Sequence, residues 1–193
     1  LGTEVSSRKY GGYYTKEDVK EVIEYAKERY IDVIPEIDLP GHTSALIASI
    51  PELSCSDEKV EVKKVAGIFR DVLCVGNEKT FEVVFDILDE MCEMFPYEYF
   101  HIGGDECPRN HWKKCPKCQA LIKSEGLKDE DELQQWFTNR VVKYLKYKGK
   151  TAIGWNECLK GGTLDKDAVI QYWTDDKGVT AKSGHKTIVS DFF

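Results

Sequence analysis

No run of apolar residues in this 193-residue chain approaches the roughly 20 that a helix needs to cross a bilayer, so no membrane span is expected in this segment. There is no charged-then-apolar leader either, but the chain opens at Leu1 rather than Met and reads as beginning mid-protein, so the compartment is not fixed by that lack. Positive charge is in deficit: 27 Lys and Arg against 34 Asp and Glu leave a net charge of −7. Phosphate backbones and anionic lipid would be repelled, which excludes a nucleic-acid partner. Histidine is scarce, and two of the four, His111 and His185, fall outside any strand end, which argues against a metal-dependent barrel hydrolase. Internal repeats and low-complexity tracts are lacking as well. Cysteine is the exception. Seven in a chain of this size favours an oxidising, extracytoplasmic compartment, periplasmic or secreted.

What is present is an alternation of helices and strands. Thr15 caps a helix carrying Val19, Val22, Ile23 and Ala26 at helical spacing. The short apolar run 31–37 reads as a strand, broken by Pro40-Gly41. A second amphipathic helix runs from Asn77 to Phe95, and the stretch 97–104 is the next strand. Leu133, Trp136, Phe137, Val141, Tyr144 and Leu145 trace a third helix, with Gly149 placed to stop it. Three further strands are expected around 152–155, 169–173 and 187–189, with a short helix before Gly184. Strands without clean polar alternation, separated by helices, imply parallel β-α units buried on both faces. An open doubly wound sheet and a closed barrel both fit that pattern. The chemistry-bearing residues favour the barrel, because they fall at the carboxyl ends of successive strands.

The strongest chemical signal is His101-Ile102-Gly103-Gly104-Asp105-Glu106. Adjacent residues of a regular strand point to opposite faces, so Asp105 and Glu106 can serve one pocket only if the backbone leaves the strand path, and two glycines allow that. Gly-Gly-Asp-Glu taken alone is more often a solvated turn. Pro35-Glu36-Ile37-Asp38-Leu39-Pro40-Gly41-His42 adds two carboxylates and an imidazole at a strand end, where buried acids need partners. Gly154-Trp155-Asn156-Glu157 and Gln171-Tyr172-Trp173 add flat apolar walls that suit the C–H faces of a sugar, although each Trp singly is more often core.

In this order, from Gly12-Tyr13-Tyr14-Thr15 past Gly-Trp-Asn-Glu, the motifs resemble glycoside hydrolase family 20, the β-N-acetylhexosaminidases. The resemblance implies an α/β fold, a (β/α)8 TIM-barrel fragment covering strands three to seven, with residues 1–193 a partial catalytic domain lacking the first, second and eighth strands. It implies retaining removal of terminal β-linked N-acetylglucosamine or N-acetylgalactosamine from glycans, with the substrate's own acetamido oxygen as nucleophile and an oxazolinium intermediate. Glu106 matches the general acid/base and Asp105 the residue that orients the acetamido group. His42 matches a support for the acid/base, Trp155 and Trp173 match pocket walls, and Asp38, His101 and Glu157 match flanking residues. One carboxylate would raise its neighbour's pKa toward acid duty. No cofactor and no catalytic metal are implied.

The family's sugar-binding arginine on the first strand has no counterpart in the sequence, and the chain stops at Asp191-Phe192-Phe193, before further pocket residues. The piece alone is therefore expected to be inactive. A non-catalytic carbohydrate-binding protein on a decayed barrel is the alternative, but it has no need of the Asp105-Glu106 pair. Cys107, His111, Cys115 and Cys118 could hold a structural zinc, or the thiols could form disulfides, with Cys55 paired to Cys74 or either of them to Cys107.

Overall fold

The computed structural model describes residues 11–174 and 177–190; the terminal Asp191-Phe192-Phe193 lies outside them. Helix α1 spans Lys16–Lys27 and is opened by a reciprocal cap. The Thr15 hydroxyl accepts from the Asp18 N–H at 3.1 Å, while Asp18 Oδ2 accepts from the Thr15 N–H at 2.8 Å. The expected apolar stripe on α1 is covered mainly at Ala26, and Val22 stays exposed. Helix α2 (Ser44–Ser49) and a 3-10 turn at Pro51–Leu53 follow. Helix α3 (Glu78–Met94) starts at Asn77, whose side chain accepts from the Lys79 N–H. After strand β1 (Tyr99–His101) come helices α4 (Pro116–Ser124) and α5 (Glu130–Tyr147). The end of the chain carries β2 (Thr151–Trp155), a 3-10 turn at Asn156–Leu159, β3 (Val169–Tyr172), α6 (Lys177–Lys182) and β4 (Thr187–Val189).

The four strands form one parallel sheet in the order β1-β2-β3-β4, with Phe100 opposite Ala152, Gly154 opposite Ile170 and Ile170 opposite Thr187. Each strand pairs with the next one in the chain, and the sheet order never reverses. A doubly wound sheet must reverse at its switch point, so this is an arc of a barrel.

The run 31–37 departs from expectation. It pairs with β1 through a single parallel bridge, Glu36 to His101, and is not a regular strand. His101 donates to the Pro35 carbonyl, and the N–H groups of Ile37 and Leu39 donate to His101 and Ile102. The physical reason is Pro35, which offers a carbonyl to β1 but has no N–H for the preceding rung. Upstream of it, Ile31 and Ile34 are exposed.

Helices α3 and α5 cover one side of the sheet. Phe81, Val84 and Leu88 meet Leu133, Phe137, Val141 and Leu145 in the core. Phe85 stacks on Tyr144 at 3.9 Å between ring centroids, and Arg140 lies over Phe81 while its two terminal nitrogens grip Glu78. Gly149 takes φ +75°, where a helix-terminating glycine belongs, and frees the chain to enter β2. No helix among the described residues is long and apolar enough to cross a membrane.

Candidate active site

The bridge between Glu36 and His101 fixes the register of the two loops that make the site. Pairing continues past β1, with the Ile102 N–H on the Ile153 carbonyl and the Trp155 N–H on the Gly103 carbonyl. The chain then turns sharply. Gly103 has φ +65° and Gly104 φ +100°, and a Cβ added at Gly103 would sit 1.9 Å from Asp38 Oδ1. Only glycine fits that spot. The Gly104 N–H donates to Asp38 Oδ1 at 3.1 Å, and the buried Gln134 side chain of α5 donates to the Gly104 carbonyl at 2.8 Å. Glu106 itself adopts φ +45°, a left-handed conformation that costs a substituted residue of order 1–3 kcal/mol. That backbone path brings two consecutive side chains to one side.

They meet at His42. Its Nε2 lies 3.5 Å from Asp105 Oδ2 and 3.5 Å from Glu106 Oε2. His42 reaches them from the Pro40-Gly41 turn, with φ +52° of its own. Gly41 presses on the backbone of Asp105, where a Cβ would stand 3.2 Å from the Asp105 carbonyl oxygen. Asp105 Oδ1 is buried, and no N–H or hydroxyl donor among the described residues is fixed on it.

The charges in this cluster are unequal. Burial, followed by the adjacent charge of Asp105, pushes the Asp38 carboxyl up to about 8. At neutral pH Asp38 therefore retains its proton beside Asp105. Asp38, His42 and Asp105 offer three donor atoms within 4.8 Å of one another, and that retained proton already occupies part of the set. Glu36 goes the other way: its hydrogen bond with His101 holds it below the usual carboxylate range against the effect of burial. His101 Nδ1 stands 3.0 Å from Glu36 Oε1 and 3.1 Å from the Gly103 nitrogen. That nitrogen faces both the carboxylate and the Gly103 N–H, which donates to it.

Two tryptophans wall the space. Trp155 packs edge-on against His101 and against Trp173, at 4.9 and 5.9 Å between centroids, and its indole N–H donates to Glu36. Trp173 donates to Glu157 Oε2 at 3.0 Å. Burial raises Glu157, and the indole N–H opposes that shift. Asn156 fixes the loop that carries both, accepting from the Trp173 N–H and donating to the Thr174 carbonyl. A cavity of about 460 Å³ opens between Glu106, Arg109, Gln134, Glu157 and Trp173, with Ile68 at its edge. A larger hollow of about 580 Å³ beside α6 contains no carboxylate pair.

All eight residues singled out in the sequence thus lie in one connected network. Residues not singled out are Gln134, which holds the Gly104 turn, Asn156, and Arg109, which pairs with Asp131 at 3.0 Å. The signal for Gln134 was available: a polar residue on the buried face of a helix otherwise lined by Leu133 and Phe137. The expected zinc set is corrected. Cys107 packs on Gly41 at the pocket, its thiol pushed up to about 12 by burial, and neither it nor His111 joins Cys115 and Cys118. Those two instead meet Cys55 and Cys74, and none of the seven cysteines is disulfide-bonded in the structure.

The family model for the glycosyl hydrolase family 20 catalytic domain matches residues 2–193. A β-hexosaminidase of Porphyromonas gingivalis is 40% identical over 187 residues, covering 97% of this chain and 24% of that protein. A chitobiase of Flavobacterium johnsoniae superposes with a TM-score of 0.87 at 37% identity, over 93% of this chain and 28% of that one. An exo-β-N-acetylglucosaminidase of Vibrio harveyi, solved in complex with N-acetylglucosamine, superposes with a TM-score of 0.85 at 35% identity, over 96% of this chain and 30% of that one. This chain spans 24% to 30% of the length of these relatives.

Proposed function

The chain belongs to glycosyl hydrolase family 20, and on that premise we propose that the protein it forms part of is a retaining exo-β-N-acetylhexosaminidase, releasing terminal β-linked N-acetylglucosamine or N-acetylgalactosamine from glycans. The observation that carries this reading is the convergence of Asp105 and Glu106 on one nitrogen of His42, made possible by left-handed backbone at Glu106. A solvated turn has no reason to hold that strain, and a sugar-binding surface has no use for the pair.

In the proposed reaction Glu106 protonates the departing glycosidic oxygen. The acetamido oxygen of the substrate attacks the anomeric carbon from the opposite face and forms an oxazolinium ring. Asp105 accepts a hydrogen bond from the acetamido N–H and balances the charge that develops there, which its buried, donor-free Oδ1 suits. Glu106 then takes a proton from water, which reopens the ring with net retention. His42 sets the separation of the two carboxylates. Asp38 keeps its own proton behind Asp105 and accepts from the Gly104 N–H, which ties it to the turn. Trp155 and Trp173 face the sugar. His101 with Glu36 stiffens Trp155, and Glu157 stiffens Trp173. Residues 1–193 alone are proposed to be inactive, and a periplasmic or secreted location belongs to the same proposal.

The test is a leaving-group series on the complete protein. Glu106→Gln keeps shape but removes the proton, and should slow bond breaking by about 10²–10⁴-fold for aryl N-acetylglucosaminides with basic leaving groups. Acidic phenols, which depart with little protonation, should lose far less. An equal loss across the series would remove Glu106 from the acid role.

A further inference from the structure

The four sulfurs of Cys55, Cys74, Cys115 and Cys118, drawn from three separate stretches of the chain, lie within 4.8 Å of one another. Cys55 Sγ is 3.8 Å from Cys118 Sγ, Cys74 Sγ is 3.6 Å from Cys115 Sγ, and Cys74 Sγ is 3.9 Å from Cys118 Sγ. A disulfide would pull one pair to about 2.05 Å and leave the others apart. Here Cys74 and Cys118 each have two sulfur neighbours at nearly equal distance, so the group does not divide into pairs. A tetrahedral ion with metal–sulfur bonds of about 2.3 Å separates its sulfurs by about 3.8 Å, which is the spacing observed. We propose that Cys55, Cys74, Cys115 and Cys118 form a structural zinc site.

The surrounding chain fits that assignment. Cys115-Pro116-Lys117-Cys118 places two thiols one turn apart at the start of α4, where Pro116 opens the helix and the free backbone N–H groups favour thiolate. Gly76 brings the segment after Cys74 against that turn: a Cβ there would fall 2.3 Å from the Lys117 carbonyl carbon and 2.5 Å from the Cys118 nitrogen. Trp112, fully buried, donates to the Leu73 carbonyl at 2.9 Å and locks the same two segments. Lys113, Lys114 and Lys117, exposed and close in sequence to Cys115 and Cys118, would offset the double negative charge of a zinc tetrathiolate. Cys74, Cys115 and Cys118 are buried and Cys55 is half-buried, so all four positions belong to protein and none is left for water or substrate. That is the arrangement of a structural ion.

The site also has work to do. Cys55 and Cys74 close a loop whose apolar residues Val62, Val65 and Ile68 are exposed, so the core does little to hold it. Ile68 of that loop and the Cys107–Arg109 segment border the active-site cavity, and the ion would pin the bases of both. Binding exchanges four thiol protons for one Zn²⁺ with no change in oxidation state.

The complete protein, expressed in zinc-replete medium without a metal-binding tag, is analysed by inductively coupled plasma mass spectrometry and by alkylation without reductant. At least one zinc per chain is expected, together with four thiols that resist alkylation when folded and all react after denaturation with a chelator. Cys55→Ser and Cys115→Ser should each lose about one zinc per chain, whereas Cys92→Ser on α3 should lose none. Cobalt exchanged into the site should give the intense visible bands of a tetrahedral thiolate centre. Iron in place of zinc, sulfurs that remain unreactive after denaturation because they are disulfides, or four thiols that react freely with no metal present would each overturn the proposal. If a serine variant fails to fold, metal content and alkylation of the unsubstituted protein still decide.

Discussion

At the carboxyl ends of the strands, Asp38, His42, Asp105 and Glu106 meet on backbone that turns left-handed at His42, Gly103, Gly104 and Glu106. Elsewhere in the chain, Cys55, Cys74, Cys115 and Cys118 meet on backbone with no positive φ at any of the four. The acids are partly open to solvent, one of them holds its proton to about pH 8, and an Asp105 oxygen has no fixed donor. Three of the four cysteines are buried and Cys55 is half-buried, with all four sulfurs within 4.8 Å of one another. Unsatisfied groups on strained backbone are what a site needs if a ligand is to complete it; closed, evenly spaced donors suit a component that stays put. Substitutions in the first region should therefore be read in turnover and pH, and in the second in metal content and stability.

The largest effect expected on stability sharpens that contrast. Gly103 and Gly126 share nearly the same backbone, φ +65° and +66°, but an added Cβ at Gly103 strikes Asp38 while at Gly126 it meets nothing within 4 Å. Gly126→Ala should cost on the order of 1 kcal/mol from strain alone. Gly103→Ala should cost clearly more in denaturant melts and abolish turnover, because Asp38 must leave its place under Asp105. Equal melts for the two variants would mean that the overlap is relieved freely and the turn does not hold the acid cluster.

A smaller effect concerns Asp38 and pH. Its carboxyl is raised from an ordinary value of 3.8 to about 8. Between those limits the folded protein keeps a proton that the unfolded chain releases, so this group's contribution falls as pH rises from about 4 to 8. Below that window it is constant, and above it the full cost of a buried charge is present. Asp38→Asn removes the titration while its side-chain oxygen can still accept from Gly104, so the stability–pH curve of the variant should be flatter between pH 4 and 8. An unchanged slope would mean that Asp38 titrates normally.

Much of the acid region was legible in the sequence. Two glycines followed by two acids demanded a departure from strand geometry, and the departure is there at Gly103, Gly104 and Glu106. Sequential strands with chemistry at their ends pointed to a barrel arc, and the β1-β2-β3-β4 order agrees. Thr15 and Gly149 act as the start and stop signals they resemble. What escaped depends on long-range placement. The thiol cluster joins residues up to 63 positions apart, so local spacing favoured Cys107 and His111 as partners when the fold supplies Cys55 and Cys74. The run 31–37 had the apolar content of a strand, but Pro35 removes a rung and its upstream residues find no cover. Helix α2 is too short for its periodicity to register, and α4 is only nine residues long and opens on Cys115-Pro116-Lys117-Cys118, whose thiols read as metal ligands or disulfide partners.

The central claim, that Asp105 serves the substrate's acetamido group and no protein carboxylate attacks the sugar, is tested most directly by varying that group. Aryl glucosaminides bearing acetamido, monofluoro-, difluoro- and trifluoroacetamido substituents would be hydrolysed by the complete protein and by its Asp105→Ala variant. The account predicts a progressive fall in kcat/KM as fluorine weakens the amide oxygen, little turnover of the matching glucoside, and a flattened dependence in the variant, because nothing then positions the amide. A flat series for the unsubstituted protein, with a glycosyl-enzyme adduct trapped in its mass spectrum, would contradict it.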